Sequence, residues 1–366
     1  IGIQTSNFTS PYWLKNEPTL GLYNVENQLL IGKPVTPREA KIEFNLVINY
    51  IPIIITKSII RRYAESDKGE IYEPFEILHK VTTKLTEKVL IFSDSIPKKV
   101  AVEIRAGTNY INGNVTLKVP QNWRIEPENH HFDILQKNDK QVVEFLVFPP
   151  KNQQEAMLKV VATINEKEFD KELIEINYNH IPKQSILLNS EAKIVRLNIE
   201  KSGNNIGYIK GAGDLIPESL RQIGYKVEEI IPSEITEVSL QKYDAIILGI
   251  RAYNVINELK FKQKYLLDFV ENGGNLIVQY NTTNNLVTKE IAPYNLELSR
   301  DRVTDENAKV TFLQPDHKVL NQPNKITEKD FEGWVQEQGL YYPNKWSSEF
   351  IPILASNDEG ESSKTG

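Results

Sequence analysis

The stretch "YDAIILGIRAYN" at residues 243–254 runs from apolar residues to a glycine and then to polar residues. A second stretch, "ENGGNLIVQYN" at residues 271–281, repeats the pattern and ends in Gln279, Tyr280 and Asn281. Short, continuous apolar runs of this kind are typical of strands buried on both faces of a parallel sheet. Residues that follow such strands often carry a catalytic nucleophile. These two strand ends therefore decide whether the sheet carries an enzyme site.

The surrounding residues predict an α/β domain over residues 203–366. Apolar strands are predicted at "NIGYIKG" (205–211) and "YKVEEI" (225–230). The stretch "DLIPESLRQIG" (214–224) predicts a helix with proline in its first turn and glycine at its end. A longer helix is predicted over "ELKFKQKYLLDFVENGG" (258–274). This alternation of strands and helices indicates a flavodoxin-like parallel sheet covered on both faces.

Ligands of open parallel sheets bind outside the carboxyl ends of the strands, so the loops that follow the strands are expected to hold the binding residues. In this hypothesis Arg251 would hold an anionic or hydroxyl-rich group, amide side chains would orient it, and Trp334 would offer a stacking face. The candidate ligand-binding residues are Gly211, Asp214, Arg251, Asn254, Gln279, Tyr280 and Asn281, with Arg300 and Trp334 at the rim. The alternatives are a plain tight turn at residues 211–214 and an Arg251 that pairs with acids of the 300–306 loop.

Residues before about 182 predict strands almost throughout. Apolar or alternating runs such as "KIEFNLVINY" and "QVVEFLVFPP" are separated by clusters of Pro, Asn, Gly and Asp. This spacing is typical of Ig-like β-sandwiches, and the length exceeds one sandwich of about 100 residues. We therefore predict one sandwich module over residues 1–94, a second over 95–182, and a linker over 183–202.

Composition excludes several classes of function. The chain of 366 residues has a formal net charge of −6, which argues against a nucleic-acid-binding face. The absence of cysteine excludes disulfides, thiolate nucleophiles and zinc–thiolate sites, and it fits a periplasmic or secreted bacterial protein. No apolar run is long enough for a transmembrane helix; residues 44–60 are β-branched and broken by Pro52 and Lys57, which predicts strands.

Two further features concern the ends of the chain and its acids. The first residue is Ile1, and the last residues are polar, so we expect a processed product or fragment whose α/β domain is incomplete at its C-terminus. The stretch "RDRVTDE" at residues 300–306 could supply acid–base catalysis. Its alternating charges equally indicate a structural cluster of ion pairs. With five histidines in the chain, no converging set of three metal ligands is evident.

Several stretches resemble one family. "GYIKGAGDLIPESLRQIGYKV", "GGNLIVQYN", "LSRDRVTDENAKVTFLQPDHKVLNQPNKI" and "DFEGWVQEQGLYY" are similar to the C-terminal accessory region of large PIG-L-type deacetylases of Bacteroidetes, relatives of N-acetylglucosaminyl-phosphatidylinositol deacetylase. The resemblance implies β-sandwich modules followed by a domain similar to class I glutamine amidotransferases and ThuA-like proteins. The stretch at residues 120–150 also resembles sandwich modules that accompany glycosidases. Carbohydrate or a glycoconjugate, and an N-terminal deacetylase domain of the parent protein, are the implied partners.

This chain departs from the family patterns at the reactive positions. The deacetylase zinc motif, H-P-D-D with a distant histidine, is absent, so zinc is expected only in the missing deacetylase domain. In glutamine amidotransferases a cysteine follows the strand that here ends in Gln279 and Tyr280. An amide, or a phenol with an ordinary pKa near 10, cannot replace a thiolate. We therefore predict a non-catalytic accessory region without a cofactor; the alternatives are a hydrolase or transferase that uses acids of the 300–306 loop, and an architectural spacer.

Overall fold

A computed structural model describes residues 8–16, 18–19, 21–37, 40–178, 180–181, 183–333 and 339–365. The chain divides into a first unit, residues 1–90 and 95–196, and a second unit, residues 91–94 and 197–366. Among the described residues, the α-helices all lie after residue 197, and the first unit contains strands and two 3₁₀ turns, at Tyr12–Leu14 and Gln28–Leu30. The described part of the chain is thus mostly β, with many separate sheets of which one is parallel.

The strands that begin before residue 197 account for most of the β structure. They are β1 (Lys41–Ile48), β2 (Ile51–Ser58), β3 (Ile60–Glu65), β4 (Gly69–Pro74), β5 (Val81–Leu85), β6 (Val89–Phe92), β7 (Lys98–Ala106), β8 (Ile111–Lys118), β9 (Arg124–Glu126), β10 (His130–Ile134), β11 (Lys140–Phe148), β12 (Gln154–Ile164), β13 (Lys167–Phe169), β14 (Lys171–Ile176), β15 (Gln184–Asn189) and β16 (Glu191–Arg196).

The first four strands form two separate antiparallel hairpins. Strands β1 and β2 pair along their whole length around Asn49 and Tyr50, both of which have positive φ as in a tight two-residue hairpin loop. All sixteen positions of these two strands are exposed although most are apolar. Strands β3 and β4 form the second hairpin. The strands predicted within residues 44–60 are therefore present, but among the described residues this region forms hairpins and not a pair of packed sheets.

Two larger antiparallel sheets follow: one has the strand order β5-β7-β11-β9, and the other has the order β10-β8-β12-β16-β6, with β13 paired to β12. Residues of one face are buried at every second position, for example Val100, Val102 and Ile104 of β7. This is the alternation that the sequence predicted for sandwich strands. Strand β5 pairs with β7, so strands on both sides of the predicted module boundary at residue 94 belong to one sheet.

The predicted linker at residues 183–202 is corrected by the structure. Strand β15 pairs with β14, and β16 pairs with β12. Ala192, Ile194 and Val195 of β16 are buried. Because these side chains need a core and their backbone groups need partners, the segment continues the sheets and does not form a free connection.

The second unit contains the helices. Its helices are α1 (Ile216–Gln222), α2 (Glu237–Leu240), α3 (Ala252–Val255), α4 (Leu259–Glu271) and α5 (Lys318–Asn321). Its strands are β17 (Asn205–Ile209), β18 (Lys226–Glu229), β19 (Ala245–Leu248), β20 (Asn275–Val278), β21 (Leu296–Leu298), β22 (Arg302–Val303), β23 (Thr311–Phe312), β24 (Gly339–Leu340), β25 (Pro343–Trp346), β26 (Leu354–Ser356) and β27 (Lys364–Thr365). Strands β21 to β27 form small antiparallel sheets.

Strands β18, β17, β19 and β20, in that order, form the predicted parallel sheet. Apolar clusters cover both of its faces: Ile246 and Leu248 belong to a cluster with Leu259 and Leu266 of α4, while Ile247 faces the other side. Both faces of the two central strands, β17 and β19, are therefore buried, which explains their continuous apolar runs. At the β20 edge, however, Ile277 and Val278 are exposed in the described chain.

The helix ends agree with the sequence prediction. Pro217 lies in the first turn of α1 and is buried, and Gly224 follows its end with a φ of +93°. Gly273, after α4, has a φ of +91°. Glycine adopts this left-handed conformation without the steric cost that a side chain would add, so both helices end where the sequence predicted.

Candidate functional site

The carboxyl edge of the parallel sheet brings the candidate loops together. Ile209 of β17 lies beside Leu248 of β19, which lies beside Val278 of β20. The Gly249 N–H donates to the Ile209 carbonyl at 2.9 Å, and the Gln279 N–H donates to the Leu248 carbonyl at 3.1 Å. The chain leaves β17 toward β18 on one side and reaches β19 on the other, so the edge is also the crevice where strand order reverses.

Asp214 is the polar centre of this edge. Its Oδ2 accepts hydrogen bonds from the Tyr208 hydroxyl, from Gln279 Nε2 at 3.4 Å and from the Ile250 N–H at 3.4 Å. Its Oδ1 accepts from the Ile216 N–H at 2.9 Å. Both carboxylate oxygens are therefore occupied by donors. Asp214 and Gln279 were predicted to share this edge, and the structure places them in contact.

Tyr208 was missed by the sequence analysis. Its side chain is fully buried beneath the edge, although its hydroxyl reaches Asp214. Burial, and then the hydrogen bond to the Asp214 carboxylate, raise the pKa of Tyr208 well above its ordinary value. The phenol thus stays protonated at neutral pH and donates its hydrogen bond to Asp214.

The two glycines of the edge are required for close packing. A methyl group on Gly211 would overlap the Ile250 carbonyl oxygen, and one on Gly249 would overlap the Tyr208 hydroxyl. The neighbouring Ala212 N–H donates to the same Ile250 carbonyl at 2.7 Å. The backbone groups of these two loops thus form hydrogen bonds with each other. This favours the tight-turn interpretation of residues 211–214 over a loop that presents free N–H groups to an anion.

Arg251 is held in a conformation that side chains rarely adopt. Its φ is +58° and ψ is +26°, in the left-handed region, at the N-terminus of α3. Its N–H donates to the Tyr280 carbonyl at 2.9 Å, and its carbonyl accepts from the Asn254 N–H at 2.8 Å. The side chain is exposed, and its guanidinium forms no hydrogen bond or ion pair within the described residues. The alternative of an ion pair between Arg251 and an acid of the 300–306 loop is therefore not found within the described residues.

Asn254 and Asn281 are occupied by the protein itself. Asn254 Nδ2 donates to the carbonyls of Thr282 at 3.0 Å and Asn284 at 2.8 Å, and its Oδ1 accepts from the Thr282 N–H at 2.9 Å. Asn281 is buried; its Oδ1 accepts from the Tyr253 N–H at 3.0 Å, and its Nδ2 donates to the Gln279 carbonyl at 2.9 Å. Both amides stabilise the loop after β20, so they position the edge and do not offer free groups to a ligand.

A second missed pair lies beneath α3. Tyr253 is fully buried, and its hydroxyl donates to Gln263 Oε1 of α4 at 2.5 Å. Burial raises the pKa of Tyr253 to about 12. This hydrogen bond connects α3 to α4 and so holds α3 in place. Arg251 is the N-cap residue of α3, so its position depends on the packing of Tyr253.

Of the remaining candidates, Tyr280 is 44% exposed, and its hydroxyl has no partner within the described residues. Arg300 is exposed, and no hydrogen bond or ion pair joins its side chain to the described strand-end residues. Trp334 lies outside the described residues. Arg251 and Tyr280 are thus the described candidates whose polar groups remain free beside the Asp214 centre.

The acidic loop at residues 300–306 is held by Asp358. The Asp358 carboxylate accepts from the N–H groups of Thr304 and Asp305, each at 2.8 Å. Hydrogen bonds led by the one from the Asp305 backbone outweigh partial burial and lower the pKa of Asp358. The loop is therefore fixed locally by backbone contacts, and the acid–base role considered for it stays a prediction.

The described ranges contain no group of three or more His, Asp or Glu residues placed to hold a metal ion.

No helix in the described part of the chain combines the length and apolar character that crossing a membrane requires.

Comparison with known proteins adds little. No protein-family model and no curated protein matches the chain. The similar solved structures include WR4, an MSP family member of C. elegans (9% identity, TM-score 0.19, 32% of this chain and 99% of that one), and SSP-19, an MSP-domain protein of Caenorhabditis elegans (7%, 0.19, 31% and 98%). A family 123 glycoside hydrolase from Clostridium perfringens, described for glycolipid glycan hydrolysis, matches at 8% identity and a TM-score of 0.21, over 46% of this chain and 38% of its own. At such TM-scores these likenesses carry no argument.

Proposed function

We propose that this chain is the non-catalytic accessory region of a PIG-L-like N-acetylglucosaminyl deacetylase and that it binds carbohydrate or a glycoconjugate for the catalytic domain. The observation that supports this most directly is the state of Asp214. Donors from the protein reach both of its oxygens, so a structural role in holding the sheet edge accounts for this carboxylate without a catalytic one. If the domain is amidotransferase-like, Gln279 and Tyr280 would occupy the position of the nucleophilic cysteine, and neither replaces a thiolate.

In this proposal the second unit is a flavodoxin-like domain of the class I glutamine amidotransferase and ThuA-like kind. The strand order β18-β17-β19-β20 supports it, since it follows the order 2-1-3-4 with which flavodoxin-like sheets begin. The two larger antiparallel sheets of the first unit would form the Ig-like sandwich.

The proposed ligand groups are Arg251 and Tyr280. The Arg251 N–H is bound to the Tyr280 carbonyl, so the two residues are held side by side while both side chains remain exposed. A guanidinium offers five donors, and a phenol offers a donor and an acceptor, which together suit a hydroxyl-rich or anionic sugar group. The left-handed backbone of Arg251 supports a functional role because such strain tends to occur at binding sites.

The proposal also places the chain in a larger protein. The zinc of the deacetylase reaction would belong to an N-terminal catalytic domain, and the accessory region would need no cofactor. We propose a periplasmic or secreted location in a bacterium of the Bacteroidetes, where the glycoconjugate substrates of such a deacetylase would be encountered.

The test is a glycan-array screen followed by titration of each positive glycan against the purified chain. We expect binding that falls at least tenfold in Arg251→Ala and in Tyr280→Phe. The matched controls are Arg221→Ala and Tyr294→Phe, which alter an arginine and an exposed tyrosine of the same unit outside the proposed site. Deacetylase and glutaminase assays should give no turnover; robust turnover by this chain would contradict the proposal.

A second candidate is a purely architectural spacer. It is favoured by hydrogen bonds within the carboxyl edge itself. Asn254 bonds to the loop after β20, and Asn281 bonds to the backbone of the buried Tyr253, so these residues leave little free polar surface. A spacer predicts no glycan hit, and it predicts that deleting the second unit changes the catalytic rate of the parent enzyme only through the position of its domains.

A further inference from the structure

A cavity of about 590 Å³ with a mixed polar and apolar lining lies within the first unit, outside the edge described above. The β3–β4 hairpin contributes Arg61 and Glu73 to its wall, and β7 and β14 contribute Arg105 and Glu175. The cavity is of the size that small-molecule sites typically have, about 300–1,000 Å³. Neither the family resemblance nor the comparisons assigns it a role.

Its charges are arranged in pairs. Glu175 accepts from Arg105 Nη1 at 2.5 Å and from Lys183 Nζ at 2.6 Å, and Glu73 accepts from Arg61 Nη1 at 3.3 Å. Burial opposes ionisation of Glu175, but the hydrogen bonds from Lys183 and Arg105 outweigh it and lower the pKa of its carboxyl group. Glu175 therefore remains a carboxylate, and the wall presents cationic donors and carboxylate acceptors side by side.

One cation in the lining, Lys137, has no side-chain partner among the described residues. The Lys137 ammonium forms no hydrogen bond or ion pair within the described residues, although its backbone N–H donates to Asn109 Oδ1 at 2.8 Å. With Glu76, the lining holds three carboxylates against four cations, so one positive charge is left over. Three carboxylates in the lining would repel an inorganic dianion, and four positive side chains would repel a cationic ligand. The excess charge matches a ligand with a single negative charge.

Apolar and aromatic groups complete the wall. Phe75 is 38% exposed and lines the cavity, where its ring can cover the C–H face of a ligand. His79, another lining residue, is nine-tenths buried between Phe8 and Phe169, and its Nδ1 has no partner in the described chain. A buried polar atom without a partner is costly unless something pairs with it.

We propose that this cavity binds an acidic sugar, a pyranose that carries one carboxylate. Hydroxyl groups donate and accept, so they fit a wall of alternating carboxylates and cations without breaking the existing ion pairs. The ligand carboxylate would pair with Lys137, and the apolar ring face would lie on Phe75. This site is separate from the one proposed in the second unit.

The test uses D-glucuronate as the probe, with D-glucose and inorganic phosphate as comparators, in saturation-transfer difference NMR titrations. We expect glucuronate to bind at least tenfold more tightly than glucose, and phosphate to bind more weakly than glucuronate. Lys137→Gln should weaken glucuronate binding about tenfold, the effect of losing one charge-assisted hydrogen bond, while leaving glucose unchanged. Lys118→Gln, which removes an exposed ion pair with Glu168 away from the cavity, is the matched control and should bind normally.

Equal affinities for glucuronate and glucose, tighter binding of phosphate, or no binding of any probe would overturn the proposal. So would glucuronate binding that Lys137→Gln leaves intact. Arg251→Ala serves to separate the two sites: it should not alter glucuronate binding here, so this cavity and the edge of the parallel sheet can fail independently.

Discussion

Replacing Arg251 by glycine should stabilise the second unit while removing its proposed ligand contact. An L-residue in the left-handed region costs roughly 1–2 kcal/mol, and Arg251 adopts that region with a φ of +58°. Glycine relieves this cost but brings about 0.5–1 kcal/mol of additional conformational entropy to the unfolded chain. Because the exposed guanidinium has no described partner to lose, we expect a net gain in the free energy of unfolding of about 0.5–1 kcal/mol.

Arg251→Ala is the control that isolates backbone strain. Alanine loses the same guanidinium but keeps Cβ and therefore the left-handed cost, so its stability should stay within about 0.5 kcal/mol of the parent chain. Hydrogen exchange of peptides from β17 and β19, followed by mass spectrometry in increasing urea, reports the opening of the second unit by itself. Ligand binding should be lost equally in both variants.

The strain reasoning fails if the glycine and alanine variants have the same stability, or if Arg251→Gly is the less stable of the two. A variant that gains stability but still binds glycans normally would remove Arg251 from the proposed site. The paired measurement thus separates strain that serves binding from strain without a function.

Three other predictions concern packing and pH. Gly249→Ala would force a methyl group against the Tyr208 hydroxyl and should lower the free energy of unfolding of the second unit by about 1–3 kcal/mol, measured by urea unfolding. Asn281→Ala leaves the Tyr253 N–H buried without its acceptor and should cost about 1–3 kcal/mol in the same assay. Burial of Glu175 opposes its ionisation, but hydrogen bonds from its cationic neighbours outweigh it and lower its pKa in the folded state. Its contribution to stability is therefore present above the unfolded-state pKa and is lost as pH falls through the folded value, so acid unfolding of the first unit should be less steep in Glu175→Gln.

The helix ends and the parallel strands of the second unit were predictable from sequence because short-range residue patterns determine them. Pro217 and Gly224 bracket α1 because proline suits the first turn of a helix and glycine suits the left-handed residue after its end. Continuous apolar runs predicted buried parallel strands because both faces of the sheet are covered. These signals lie within a few residues of the feature that they predict.

Pairing between distant strands could not be read in the same way. The stretch "QSILLN" at residues 184–189 has the length of a strand, but only its partner β14 makes it part of a sheet and not a linker. Strand β5 likewise joins β7 across the boundary predicted at residue 94. Such contacts depend on which surfaces meet in three dimensions, and a turn-rich stretch between two strands is an equally good signal of a hairpin or of a domain boundary.

The candidate site was predictable in its location but not in its state. Residues after β17, β19 and β20 meet because parallel strands in register end together. The Asn281 side chain accepts a hydrogen bond from the Tyr253 N–H and is therefore not free for a ligand. This contact depends on how closely α3 packs against the loop after β20, and no local sequence pattern encodes that. Tyr208 gave only a weak signal, a phenol inside an apolar strand, which needs a hydrogen-bond partner when buried.

The β1–β2 hairpin will influence how the purified protein behaves at high concentration. Its apolar side chains, such as Phe44 at 47% and Ile54 at 65% exposure, face solvent on both sides of a ribbon whose two outer edges pair with no other described strand. Open strand edges with apolar side chains are templates for edge-to-edge stacking. Sedimentation velocity should therefore reveal reversible oligomers whose population rises with loading concentration, and lysine at position 44 or 54 should improve colloidal stability without unfolding either unit.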